Sequence, residues 1–330
     1  MDPRLGRTHR HPGAARGPWS AARGPSIAHV VPHTVVMDSA LTTIGLPVAL
    51  GIIMFGLGLG LTPADFARVA RHPRAVVVAL ACQLLVLPAI CLGLVALFQL
   101  PPLLAVGMMM LAASPGGTVA NLYSHLFRGD VALNISLTAI NSIIAVVTLP
   151  LITNLAIAIF DPFDDQLGLQ LSKTVEVFLV VLGPAALGML VRRLSPTFAD
   201  RMDVPVRIGS FVVLVVVIAG AVISNWAILV ENVASLAGIT ALFCLLSLAV
   251  GYLAPRWLGV GQRQAVASSF EIGIHNAVLA IVIAQTVLGS IEVSLPAGVY
   301  GVLMLFIAGG FGLLIRGRGS AIAARPTASA

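Results

Sequence analysis

The sequence predicts an all-α integral membrane protein of about nine transmembrane helices, and three observations predict it. First, 58% of the 330 residues are hydrophobic and only 10% are charged, with a mean hydropathy of +1.01. Soluble domains carry about 25% charged residues, so the solvent for most of this chain must be lipid. Second, apolar runs long enough to cross about 30 Å of hydrocarbon as helices alternate with short polar breaks from residue 41 onward. Third, basic residues occupy every second break. With 6% aromatic residues and abundant Leu, Val, Ile, Ala and Gly, the composition suits packed helices rather than a barrel.

Residues 1–36 are rich in Arg, Pro, Gly, His and Ala. They contain no apolar run long enough for a span or a signal-peptide core and read as a disordered basic tail. Met37 stands just before the first apolar run and is the expected true start. Spans are expected near 41–61, 75–98, 102–126, 131–159, 172–191, 206–224, 233–254, 264–289 and 294–315. The breaks between them alternate in charge without a miss. Arg68, Arg71 and Arg74 follow the first span, and the break at Pro101 is uncharged. Arg128 then alternates with the acids Asp161, Asp164 and Asp165. Arg192, Arg193 and Arg201 alternate with Glu231, and Arg256 and Arg263 with Glu292. Arg316, Arg318 and Arg325 follow the last span. By the positive-inside rule, residue 41 begins outside and the tail 317–330 is cytoplasmic, as in a multi-pass protein of the cell inner (plasma) membrane. The five arginines of residues 1–36 fall on the wrong side, a second reason to start at Met37. The net charge of +6 and pI of 10.0 therefore reflect orientation; neither nucleic acid nor an obligate protein partner is expected.

Two spans carry chemistry. The third contains Ser114-Pro115-Gly116-Gly117-Thr118-Val119-Ala120-Asn121. Proline removes a backbone donor and glycines loosen the helix, so the stretch should unwind near mid-membrane. Unwound backbone survives there only where it lines a protein or water cavity, and the N-terminus of the second half-helix favours an anion. The alternative is a proline kink with a glycine packing face. The eighth contains Phe270-Glu271-Ile272-Gly273-Ile274-His275-Asn276. An unpaired carboxylate at this depth costs about 3 kcal/mol on insertion scales, and no Lys or Arg lies well inside any span. Glu271 must carry a proton or be neutralised by a mobile cation. His275, four residues on, would share its helix face; the alternative is a structural Glu–His pair.

Asn134, Thr138 and Asn141 follow helical spacing in the fourth span and form an inward polar stripe, and hard Na⁺ prefers such oxygens. Ser136 and Ser142 read as interhelical hydrogen-bonding residues. Gln83 and Pro88 interrupt the second span. Lys173 and Glu176 read as a structural pair, Gly56, Gly58 and Gly60 as a close-packing face, and Cys82, Cys91 and Cys244 as small core residues. A zinc site on Glu271 and His275 fails for want of ligands. Counted back from the C-terminus, the last five spans form one repeat (161–316). The first four form a second (37–160) that lacks its first helix. The two unusual spans then occupy matching places, and five spans per repeat make the repeats inverted, which puts a site at the midplane.

These motifs resemble the bile acid:sodium symporter family over roughly residues 41–315. The carriers are Gly51-Ile52-Ile53-Met54-Phe55-Gly56 with Gly58 and Leu59, His72-Pro73, the 114–121 stretch, Arg128-Gly129-Asp130-Val131-Ala132-Leu133, and Glu271-Ile272-Gly273-Ile274-His275-Asn276. The resemblance implies a core domain with two broken helices that cross, beside a panel domain, in a nine-helix member. It implies one sodium site on Asn121, Thr138, Glu271 and Asn134, with Ala120 at a serine position. A second would use Gln83, Glu271, carbonyls near Ile272 and Ile274, and His275 at a glutamine position. Neutral imidazole is a poor Na⁺ ligand, so altered stoichiometry is expected, or a proton in place of one Na⁺. The substrate anion would lie at the crossing, near Ser114, Gly116, Gly117, Thr118 and Asn276.

The function expected is sodium-coupled symport of an organic anion by alternating access, with Na⁺ as coupling ion. The anion is either bile-acid-type or a small carboxylate such as pantoate or pyruvate; Tyr300 as the main polar side chain of the last span favours a small one. Competing readings are a Na⁺/H⁺ antiporter or proton-coupled anion transporter, a sensor that binds without transport, and a membrane hydrolase on Glu271 and His275. The hydrolase lacks a convincing nucleophile, Ser114 being the sole candidate, so no enzyme is expected.

Overall fold

The computed structural model describes residues 46–60, 62, 72–160, 171–224 and 226–323. Among these the chain is helical: α1 (Leu46–Gly60), α2 (Pro73–Phe98), α3 (Pro102–Ala113), α4 (Thr118–Leu126), α5 (Val131–Phe160), α6 (Leu171–Leu194), α7 (Pro196–Ser224), α8 (Trp226–Trp257), α9 (Gln262–Gly273), α10 (Ala277–Thr286) and α11 (Ile291–Ala323). In lipid each backbone amide needs an internal partner, which a helix supplies. By length and apolarity, three helices in this set can cross a membrane: Pro73–Phe98, Ala234–Trp257 and Ile291–Ile315. A fourth is the bent pair Val131–Ala145 and Val147–Phe160. Residues 1–36, Arg68, Arg71, Asp161, Asp164, Asp165 and Arg325 lie outside the described residues, as do the side chains of Lys173, Glu176, Glu231, Arg316 and Arg318.

Prolines shape the helices. Pro73 and Pro102 stand in first turns, where the missing N–H is no loss. Pro150 lies inside α5, and its ring disturbs the carbonyl one turn back, at Val146, where the helix bends by 53°. In α2 the segment Cys82–Val86 is a π-helical turn, with the Leu87 N–H bonded to the Cys82 carbonyl. Pro88 follows it directly, and such bulges mark functional sites; Gln83 sits inside it. The helix closes at Gln99, whose positive φ of 49° lets its N–H and that of Leu100 return to the Ala96 and Val95 carbonyls.

The interior belongs to the interrupted helices. Every residue of α3 from Leu104 to Ala113 is buried, as is α10 from Ala277 to Ala284. With 12 residues, α3 rises about 18 Å, short of the hydrocarbon thickness; only together do α3 and α4 have the length of a span. Helix α3 packs against α5, α11 and α2, and α8 against α9 and α11. Helix α1 packs on α6 at close range. A Cβ on Gly58 would lie 2.0 Å from the Ala185 carbonyl oxygen, and one on Gly188 would lie 2.3 Å from that of Phe55. Side chains such as Leu85, Leu97, Val147 and Phe306 stand exposed on the outer faces, as lipid contact requires.

Candidate functional site

Two helix interruptions meet at the centre. The first runs from Ser114 to Gly117, with Ser114 and Gly117 in extended backbone. The second covers Ile274 to Asn276. Gly116 and His275 form an antiparallel bridge, and the Asn276 N–H donates to the Pro115 carbonyl at 2.9 Å. Each unwound strand thus supplies partners for the other, which is how irregular backbone is held at such a depth.

The four helix ends created there divide by polarity. Helices α3 and α9 present C-termini, partially negative, whereas α4 and α10 present N-termini, partially positive. Gly117, Thr118 and Val119 at the start of α4, and Asn276, Ala277 and Val278 at the start of α10, line a cavity of about 30 Å³ together with Ile53 and Met304. Two helix N-termini aimed at one space favour an anion. The Asn276 side chain caps α10, accepting from the Leu279 N–H at 3.0 Å. A Cβ on Gly117 would meet nothing within 4 Å, so the space beside it is open. Ser114 does not line this cavity: it is fully buried and its hydroxyl donates to the Leu111 carbonyl at 2.7 Å.

On the C-terminal side of the breaks stands Glu271, fully buried. Its carboxylate accepts from Thr138 Oγ1 at 2.5 Å and from Asn141 Nδ2 at 3.1 Å. Gly116 is pressed against it, since a Cβ there would lie 2.6 Å from both carboxylate oxygens. On α5 the stripe at 134, 138 and 141 faces α9 throughout, because Asn134 Nδ2 also donates to the Ala267 carbonyl at 2.7 Å. Gln83 Nε2 donates to the Ala112 and Ser114 carbonyls at 3.2 and 3.1 Å, binding α2 to the C-terminus of α3.

These bonds leave a pattern of unused oxygens. Gln83 Oε1, Asn121 Oδ1, Asn134 Oδ1 and Asn141 Oδ1 are buried without a partner among the described residues. In three of them a carbonyl or carboxylate fixes the amide nitrogen, so the oxygen cannot be exchanged for it by a flip. Each unsatisfied buried acceptor costs about 1–3 kcal/mol. A hard cation is the partner such oxygens suit. Ile272 and Ile274 flank the end of α9, where helix carbonyls lack a following amide. The neighbouring Gly273 carbonyl is taken by Tyr300 Oη at 2.8 Å and Cys244 Sγ at 3.7 Å.

Three expectations change. His275 does not share a helix face with Glu271: α9 ends at Gly273, so four-residue spacing no longer aligns them. Its Nδ1 donates instead to the Ser114 carbonyl at 3.1 Å, and Nε2 is buried without a partner among the described residues. The ring stacks on Phe243 and meets Tyr300 edge-on, with centroids 5.3 and 5.5 Å apart. Ser142 does not bridge helices through the bond seen here; its hydroxyl donates to the Thr138 carbonyl one turn back, and that of Ser136 donates to the Ala132 carbonyl. Tyr300, whose polar side chain in the last span favoured a small anion, is fully buried and committed to Gly273. Asn141 was legible only as a member of the stripe, its spacing of three from Thr138 being the signal for its contact with Glu271. The aromatic enclosure of His275 comes from distant α8 and α11 and left no local signal.

The Sodium Bile acid symporter family model matches residues 29–232. Over 76% of its length the chain is 30% identical to the "Probable sodium/metabolite cotransporter BASS1, chloroplastic" of Arabidopsis thaliana, covering 62% of that protein. It is 29% identical over 86% of its length to the "Probable sodium/metabolite cotransporter BASS2, chloroplastic" of Oryza sativa, covering 65%. Over 77% of both chains it is 25% identical to the "Uncharacterized sodium-dependent transporter YocS" of Bacillus subtilis. The chain thus spans less than two thirds of the two plant relatives.

Proposed function

The chain belongs to the Sodium Bile acid symporter family, a family of transporters and not of enzymes, and we propose that it is a sodium-coupled secondary transporter of an organic anion. One observation carries this reading. Among the described residues, four buried amide oxygens have no partner and no basic side chain pairs with the Glu271 carboxylate, and two helix N-termini face one cavity. Na⁺ is held by Glu271, Thr138, Asn121 and Asn134 at one position. Gln83 and the carbonyls of Ile272 and Ile274 contribute to a second, which His275 alters. The anion sits against Gly117, Thr118 and Asn276, while Gly116 faces Glu271, so that cation and anion are bound by opposite ends of the same broken helices. The cavity between the two helix N-termini takes the carboxylate headgroup of the anion.

The architecture in this reading is nine crossings of the cell inner membrane, with the C-terminus cytoplasmic. Inverted repeats comprise residues 37–160 and 161–316, ahead of the tail 317–330. Its support is the matched packing of α5 on α9 and of α11 on α3, and the antiparallel sense of the bridge between the breaks. Helices α1, α6 and α7 pack on one another and make the panel against which the core rocks.

The test is thermal stability of the purified protein against a panel of carboxylates, with Na⁺ or K⁺, on wild type and Glu271→Gln. Na⁺ should raise Tm, a carboxylate should raise it further only with Na⁺, and both effects should vanish in the variant. An equal response to K⁺, or an intact response in Glu271→Gln, would overturn the reading.

One observation favours a second coupling ion. His275 Nε2 is a buried, unpartnered nitrogen where an amide oxygen would serve Na⁺ better. A proton there replaces one Na⁺. Uptake in proteoliposomes at fixed low Na⁺ should then depend on pH, and His275→Gln should remove that dependence while steepening the Na⁺ dependence. A sodium Hill coefficient near two in wild type with no pH dependence would exclude the proton.

A further inference from the structure

The α5 stripe extends one turn beyond the residues assigned to sodium above. Asn141 is 2% exposed, its Nδ2 donates to Glu271 Oε1 at 3.1 Å, and its Oδ1 has no partner among the described residues. Thr138 occupies the other carboxylate oxygen, Oε2. The nitrogen and oxygen of an amide lie about 2.3 Å apart, so Asn141 Oδ1 stays within about 5 Å of Glu271 Oε1. A hard cation with contacts of about 2.4 Å bridges two oxygens closer than about 4.8 Å from a position off the line between them, clear of Nδ2. Asn134, the other amide of the stripe, stands seven residues earlier and about 10 Å away along the helix. The two amides are therefore too far apart to share one ion.

We propose that Asn141 is a cation-binding residue, its Oδ1 and Glu271 Oε1 together holding a sodium ion on the side of the carboxylate away from Asn134. This rests on the sodium-coupled reading and deepens it. Glu271 is then flanked along α5 by one oxygen-bearing amide on each side, with Thr138 between them. It also supplies an oxygen that His275 cannot. When the ion leaves, the amide nitrogen of Asn141 stays on the carboxylate and supports its charge, so the empty site does not collapse.

The experiment measures the Na⁺ concentration for half-maximal rise in Tm, and the same for Li⁺, on the full chain in detergent. Wild type, Asn141→Leu and Asn141→Ser are compared. Asn141→Leu keeps the volume and removes both polar atoms; half-saturating Na⁺ should rise at least tenfold and the Na⁺ to Li⁺ ratio should change. A purely structural role would lower Tm without Na⁺ and leave that ratio unmoved, which would overturn the assignment. Should Asn141→Leu fail to fold, Asn141→Ser decides: its shorter hydroxyl should also weaken Na⁺ and shift the ratio, and wild-type values would overturn the assignment. A wild type with no specific Na⁺ response sinks the coupling reading and this one together. A responsive wild type with unchanged variants sinks this one alone.

Discussion

The two interruptions at the centre reach similar geometry by different means. Between α3 and α4 the break is local: Pro115 removes an amide hydrogen, and Gly116 and Gly117 tolerate extended backbone at little expense. Between α9 and α10 there is no proline, and the one glycine, Gly273, is the last helical residue before the break. That break persists because tertiary partners hold it. The Pro115 carbonyl takes the Asn276 N–H, the Ser114 carbonyl takes His275 Nδ1, and Tyr300 and Cys244 both donate to the Gly273 carbonyl. The first break is intrinsic to its segment, whereas the second depends on the first. The buried acid, Glu271, lies beside the dependent break.

This asymmetry can be attacked from either side. The largest effect should come from Gly116→Ala, which places a methyl 2.6 Å from the Glu271 carboxylate. Overpacking of this kind costs about 1–3 kcal/mol, and the displaced carboxylate should lose its Na⁺ response altogether, read as the Na⁺-dependent rise in Tm. Gly117→Ala is the control: a Cβ there meets nothing within 4 Å, its extended backbone suits any residue, and stability should move by less than about 0.5 kcal/mol. An equal loss in both would show that the first break needs glycine for flexibility and not for the approach to Glu271. Next, Asn276→Ala removes the cap of α10 and should cost about 1 kcal/mol, with weaker carboxylate binding by thermal shift. Smallest is Tyr300→Phe, which deletes the hydroxyl bonded to Gly273. A loss of about 0.5–1.5 kcal/mol is expected, and hydrogen exchange at Ile274 to Asn276 should quicken while residues 114 to 117 stay as before. Equal quickening at both breaks would show that they open as one unit.

The same asymmetry explains how much could be read in advance. The first break was legible because its cause is covalent: Pro115 and two glycines act on their own neighbours wherever they stand. The stripe Asn134, Thr138, Asn141 was legible because helix periodicity alone puts those side chains on one face. The second break was not, and the cost was a wrong placement of His275 relative to Glu271. Periodicity was extended four residues past Glu271, through a helix that stops at Gly273 because of partners more than 150 residues upstream in sequence. Ser142 failed for a smaller reason, since a hydroxyl in a helix can satisfy itself on its own turn.

By itself the sequence determined the solvent, the spacing of the apolar helices and the presence of an acid without a fixed counter-charge. Each follows from composition, from run length or from periodicity, and all of these are properties of neighbours along the chain. The tertiary structure decided which oxygens are left over once the amide nitrogens of Gln83, Asn134 and Asn141 have found their acceptors, and which helix ends face one another across the unwound strands. Those are outcomes of hydrogen-bond competition among different helices, and no local pattern encodes the winner.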